Sequence, residues 1–207
     1  MAVYVVALEN MRAGEVLNGV ADNITKAAVR AINRTTERGR AEASREIRSQ
    51  VKFSAAYLSD AEGRLSVTKF ASPGSLQGTI TGRDRATSLA RFVQGATRPN
   101  KAGVRVAVSA NGGARYMRRA FLVRLRSGNA DINTKNNMGL AIRLKDGESI
   151  RNKNVTLMKK SGLYLLFGPA VDQVLGGNRG VASKITPELA DQLEAEFFRQ
   201  LALLEGK

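Results

Sequence analysis

Hydrophobic positions between Leu17 and Gln50 recur every three or four residues. Leu17, Val20, Ile24, Ala27, Ala28, Ala31 and Ile32 form one apolar stripe, the signature of an amphipathic helix. Arg30, Arg34 and Arg38 fall four apart on another face, with Glu37, Glu42 and Glu46 interspersed. The stretch contains no proline, and Gly39 is its one weak point, costing about 1 kcal/mol in a helix interior. Two readings follow: one rod about 50 Å long, or two shorter helices broken near Gly39. A rod of that length outruns a small core, so the face carrying Arg30, Arg34 and Arg38 is a candidate inter-subunit surface.

Beyond Ser54, which is placed to cap a single turn through Leu58, the period changes to two. Arg64–Phe70 and Leu76–Ile80 alternate like half-buried strands joined across the turn Ser72-Pro73-Gly74. Val104–Val108, Phe121–Leu125 and Leu140–Leu144 follow the same rule. Several of these strands set Arg or Lys opposite their aliphatic residues, which predicts a sheet with one apolar and one cationic face. Thr97–Gly103 and Asn111–Arg115 read as loops, and Asn129–Gly139 as a long polar excursion. Gly162–Phe167 reads as a buried strand, followed by a helical turn over Ala170–Leu175 closed by Gly176-Gly177. Thr186-Pro187-Glu188 carries the signals of a helix start, with Thr186 as N-cap and Pro187 in the first helical position. That last helix runs to Leu204, with Leu189, Leu193, Phe197 and Leu201 four apart.

The expected architecture is α+β: one domain over 1–207, in which a long N-terminal helix (17–50) and a C-terminal helix (186–204) pack on a mainly antiparallel β-sheet or sandwich (64–168).

Composition narrows the chemistry. The 207 residues include no Cys and no His. Thiolate nucleophiles, disulfides, Cys-type zinc sites and the Ser-His-Asp arrangement are therefore excluded, and with them the commonest general base. The Gly-Gly pairs at 112–113 and 176–177 lack the Lys-Ser/Thr of a phosphate loop. Asp60 and Glu62 lie in a turn with no catalytic setting, and Asp131, Asp146 and Glu148 lack the spacing of a calcium loop. The chain reads as a non-enzyme without catalytic residues, metal or cofactor. Its opening residues lack the basic region of a signal peptide, and no apolar run reaches the roughly 18 residues of a membrane span, so a soluble protein made in the cytoplasm of its producer is expected.

The net charge of +15 is unevenly placed: residues 1–80 carry 11 basic and 8 acidic side chains, 81–160 carry 18 and 4, and 161–207 carry 4 and 6. A cationic middle attracts phosphate backbones or acidic protein surfaces. Arg115, Arg118, Arg119, Arg124 and Arg126, interleaved with Tyr116 and Phe121, are the candidate DNA- or partner-facing surface. No helix-turn-helix, zinc finger or aromatic RNA-binding strand motif accompanies them, so sequence-blind contact is the expectation.

Three blocks, in order, carry a family resemblance. They are Ala27–Arg38 with its Ala-Ile-Asn-Arg core and the Ile47–Leu58 continuation; Ala120–Gly128 with Ile142-Arg143; and Gly168–Val174 ahead of the final helix. Together they resemble the minor tail protein Z family of long-tailed bacteriophages. The resemblance implies a structural protein of the virion tail or neck, a tail-completion or head–tail joining protein that forms a homo-oligomeric ring, six-fold like the tail. It implies the tail terminator, tail tube or head connector as partners, with non-specific contact to axial DNA. Small size and the absence of repeats favour the head-proximal end over the tail tip or baseplate. The alternatives are a tail-tip minor protein and a basic, sequence-nonspecific nucleic-acid-binding protein.

Overall fold

The computed structural model of the chain describes residues 3–7, 18–59, 63–95, 103–125, 138–144, 149, 155–158, 163–177 and 180–206. Asp60, Glu62, Arg126, Asp131, Asp146, Glu148 and most of the segments 97–103 and 129–139 lie outside these residues. The sequence reads as one domain; its internal contacts gather into two compact units. The first comprises Met1–Ile47, Phe53–Asp84 and Val171–Lys207, and the second Arg48–Lys52 and Arg85–Ala170.

In the first unit the apolar stripe becomes α1, Asn18–Gln50, unbroken at Gly39. Buried Ala27, Ala28, Ala31, Ile32, Ala43 and Ile47 mark its inner face. The C-terminal helix α3, Val181–Leu204, packs along it antiparallel. Arg34 meets Glu196, while Glu46 near the other end of α1 pairs with Lys184 at 2.8 Å. Small side chains let the axes come close. A Cβ at Gly39 would stand 2.8 Å from Leu189 Cδ1 and 3.2 Å from Ile80 Cδ1. Gly39 is therefore the place where α3 and the sheet reach α1, not a break in the helix. Ala27, Ala28, Ala31 and Ile32 join Ala71, Leu193 and Phe197 in one core cluster.

The sheet of this unit has the order β1-β3-β2, with β1 Val3–Ala7, β2 Leu65–Lys69 and β3 Gln77–Gly82, all antiparallel. The expected hairpin is present: Ser72 and Ser75 exchange backbone hydrogen bonds of 3.0 and 2.9 Å across its turn. A Cβ at Gly78 would collide with the Thr36 side chain, so β3 passes directly over α1. Asn33 ties the end of β2 to α1: its Oδ1 accepts from Ala71 N at 2.6 Å and its Nδ2 donates to Ala71 O at 3.1 Å. Ser54 Oγ accepts from Tyr57 N, capping a 3-10 turn over Ala56–Leu58.

The start of α3 corrects the sequence reading. Thr186 is no N-cap; its hydroxyl donates to Ala182 O four residues back, and Pro187 sits inside the helix. Helix formation begins at Val181 after Gly180, whose φ of +64° suits glycine. The four-residue stripe in fact starts with Val181 and Ile185, both buried, and their packing outweighs the local Thr-Pro-Glu signal. Pro187 cannot serve the carbonyl of Ser183, and both residues are exposed, where the loss of that hydrogen bond costs least. The short helix α2, Val171–Gly176, matches the expected turn.

The second unit contains two sheets. One has the order β7-β8-β10-β9, from β7 Ala120–Arg124, β8 Met138–Arg143, β9 Val155–Met158 and β10 Leu163–Leu166. The other has the order β4-β5-β6, from β4 Val93–Gln94, β5 Val104–Val106 and β6 Arg115–Met117. All pairings are antiparallel. The single sheet with one cationic face is thus replaced by three small sheets across the chain. In the four-stranded sheet both faces are apolar. Phe121 and Val123 pack with Leu125, Ala141 and Leu165 on one side, while Ala120, Leu122 and Leu140 are buried on the other. Its arginines stand at strand ends and turns. Only β4-β5-β6 keeps the expected alternation, with Val104 and Val106 buried and Arg105 exposed between them.

Candidate functional site

Folding sorts the charge more sharply than the linear sequence does. The second unit holds 19 basic and 3 acidic side chains, the first 14 basic and 15 acidic. The net charge of +15 therefore belongs entirely to the second unit. Among that unit's described residues are ten Lys or Arg and not one Asp or Glu. In the first unit, by contrast, acidic and basic side chains are interleaved and pair, Glu46 with Lys184 and Glu196 with Arg199. A surface of one sign focuses an attractive field on polyanions.

The predicted arginines occupy distinct places on it. Arg115 is exposed on β6, opposite Val106 in the register. Arg118 and Arg119 form the turn between β6 and β7, and the Arg119 guanidinium donates to Arg143 O at 2.9 Å, anchoring the turn to the end of β8. Arg124 is exposed at the end of β7, opposite Met138. Arg126 lies outside the described residues. Arg115, Arg118, Arg119 and Arg124 thus span one short stretch, strand to turn to strand, without sharing one sheet face.

Sequence reasoning left out Arg105. It is exposed on β5, directly opposite Tyr116 on β6 and Gln94 on β4, so these three side chains form one row across the sheet. The signal was present in the alternation Val104-Arg105-Val106. Tyr116, named only for its place among the arginines, is 63% exposed. Its ring leans diagonally across the strand pair: a Cβ at Gly103 would lie 2.5 Å from its Oη and 2.7 Å from its Cζ.

The arginines of the candidate inter-subunit helix lie on the first unit. Arg30 and Arg34, with Asn33, Glu37 and Gln200, line an open groove of about 600 Å³, and Arg38 is exposed beyond it. Beside this groove Glu196 is 5% exposed. Hydrogen bonds from Arg199 lead the effects that hold its carboxyl down at about 2; burial opposes them, and Gln200 and the charges of Arg199 and Arg34 add to them. Arg34 Nε stands 3.6 Å from Glu196 Oε1, so one of the three helix arginines already serves an internal ion pair. Buried positions recur from Ala27 to Ile47, so most of α1 is used within its own chain.

Among the described residues, no group of three or more Asp or Glu side chains is placed to hold a metal ion, and no helix is long and apolar enough to cross a membrane. Compared with known proteins, the chain matches no family model, no curated protein and no solved structure.

Proposed function

We propose that this chain is a non-enzymatic structural protein of a tailed bacteriophage virion, set as a homo-oligomeric ring at the head-proximal end of the tail, where it completes the tail and joins it to the head. The observation that carries this reading is the charge segregation: one unit is close to neutral, and the other carries +16 with no carboxylate among its described residues. Such a molecule suits a position where one surface meets protein and another faces DNA or an acidic neighbour.

The resemblance supplies the virion context, and its blocks coincide with structural elements. Ala27–Arg38 is the buried spine of α1, with Asn33 fixing it to Ala71. Ala120–Arg124 is β7, and Val171–Val174 opens α2. Arg105, Arg115, Arg118, Arg119 and Arg124 stand on short strands and a turn and not on a helix that would enter a groove, so their contact with DNA is through phosphates and blind to sequence.

Two experiments test the proposal. The purified protein should bind duplex DNA weakly, without base preference, and with affinity falling steeply as salt rises; base preference that persists in high salt would favour a dedicated nucleic-acid-reading protein. Tails assembled without the protein should reach normal length yet yield no infectious particles. Tails that never polymerise would place it at the tip instead.

A further inference from the structure

We infer that the β4-β5-β6 sheet of the second unit carries a binding site for unpaired nucleotides of a single-stranded nucleic acid, with Tyr116 as the stacking platform and Arg105 and Arg118 as the phosphate contacts. This rests on the reading that the cationic unit faces nucleic acid, and narrows the form it takes.

Three observations converge. First, Tyr116 leaves 63% of its surface exposed while its phenol end rests over Gly103. Gly103 stands diagonal to it, and any larger residue there would push the ring away. A large aromatic side chain laid across a strand pair and left open to solvent presents a surface on which a base can stack.

Second, the register places cations around that ring. Arg105 is its direct cross-strand partner, and the Cα of Arg118 lies 3.0 Å from the Cβ position of Gly103, at the phenol end. Two exposed arginines thus flank the ring, one across the strand pair and one at its phenol end, and Gln94 continues the row with an amide able to bond a base edge.

Third, the described part of this unit contains no carboxylate to repel a phosphate. A duplex keeps its bases stacked on one another and offers only phosphates, so it uses the arginines and leaves the ring idle. An acidic peptide likewise engages the arginines without needing an open ring. A single strand uses both.

The test is fluorescence anisotropy of the full chain with a labelled thymidine oligonucleotide and with a duplex of equal length, at two or more salt concentrations. Tyr116→Ala should weaken single-strand binding about tenfold or more, the usual loss for one stacked base, and leave duplex binding unchanged. Tyr116→Phe should retain affinity. Gly103→Ala keeps every charge and the ring but displaces it, and should weaken single-strand binding while sparing the duplex. Removing Arg105 and Arg118 together should lower both affinities and flatten the salt dependence by about two phosphate contacts. If Tyr116→Ala leaves single-strand binding intact while salt-dependent duplex binding persists, the inference fails and the polyanion-facing reading stands. If neither nucleic acid nor polyglutamate binds, both fail. Tyr116-dependent binding of polyglutamate without nucleic-acid binding would assign the surface to an acidic protein and overturn the inference.

Discussion

Gly39 offers a sharp test of how the first unit is built. In a solvated helix, Gly→Ala stabilises by about 1 kcal/mol. Here the new methyl would stand 2.8 and 3.3 Å from the two Leu189 methyls and 3.2 Å from Ile80 Cδ1, each closer than ordinary van der Waals contact. Leu189 is only 6% exposed and Ile80 3%, so neither can swing into solvent. Overpacking of this kind costs about 1–3 kcal/mol. Packing outweighs propensity, and Gly39→Ala should destabilise by roughly 0.5–2 kcal/mol, while Gly39→Leu should cost more than about 3 kcal/mol.

A double-mutant cycle isolates the cause. Leu189→Ala alone should cost about 2–5 kcal/mol, because it opens a cavity between α1 and α3. In that background the two Leu189 methyls are gone, and Ile80 Cδ1, at 3.2 Å, can shift into the space they leave. Gly39→Ala should then change sign and stabilise by up to about 1 kcal/mol, giving a coupling energy of roughly 1–3 kcal/mol. Urea unfolding followed by circular dichroism at 222 nm reads all four corners of the cycle. If Gly39→Ala stabilises the parent protein by the full helical increment, or the two substitutions are additive, α3 does not cross α1 at this glycine and the packing described here is wrong.

Two further outcomes follow from named contacts. The Glu196 carboxyl is held at about 2 in the folded protein against an ordinary 4.5, so its contribution to stability is complete above about pH 4.5 and is lost as pH falls toward 2. Glu196→Gln should cost on the order of 1–3 kcal/mol at pH 7 and show a shallower loss of urea midpoint between pH 4.5 and 2.5; an unchanged pH profile would contradict the ion pair. Asn33→Ala removes both bonds to Ala71 and should lower stability by about 1–3 kcal/mol, with Asn33→Asp at least as harmful because a carboxylate would face Ala71 O. A stability loss for Asn33→Asp well below that for Asn33→Ala, measured by thermal unfolding, would show that the bond donated to Ala71 O matters little.

Much of the fold was legible because the signals were periodic. The α1 stripe, the Ser72–Ser75 hairpin, and the strands at Val104, Ala120, Met138 and Leu163 all obey local period rules that tertiary packing preserved. The failures have a common physical origin in long-range pairing. Val3–Ala7 is a short apolar run whose strand identity comes from pairing with Gln77–Thr81, 70 or more residues away. The division into three sheets depends equally on which distant strands meet. Thr186-Pro187-Glu188 carries every local mark of a helix start, yet burial of Val181 and Ile185 extends the helix by more than a turn. In the candidate site, the arginines of Arg115–Arg124 stood out as a linear cluster. Arg105 did not, because only the register of β5 against β6 sets it beside Tyr116.

The size of the charge also bears on what the second unit must meet. A folded unit accepts self-repulsion when its cations have work to do, since at physiological salt the screening length is only about 8 Å and neighbouring guanidiniums still repel. In a ring of six, +16 per copy brings about 96 net positive charges to one level of the tail, enough to neutralise about 160 Å of duplex at one phosphate per roughly 1.7 Å. A unit of roughly 90 residues is only about 30 Å across, and that length of duplex carries about 18 phosphates. Axial DNA would therefore match about a fifth of the charge. In the proposed assembly the remainder is left for counterions and for acidic surfaces on adjoining rings, so DNA and acidic neighbours need not compete for this unit. In the proposed assembly, Arg115, Arg119 and Arg124, which stand off the Tyr116 row, fall to the protein contacts, and Arg105 and Arg118 to nucleic acid.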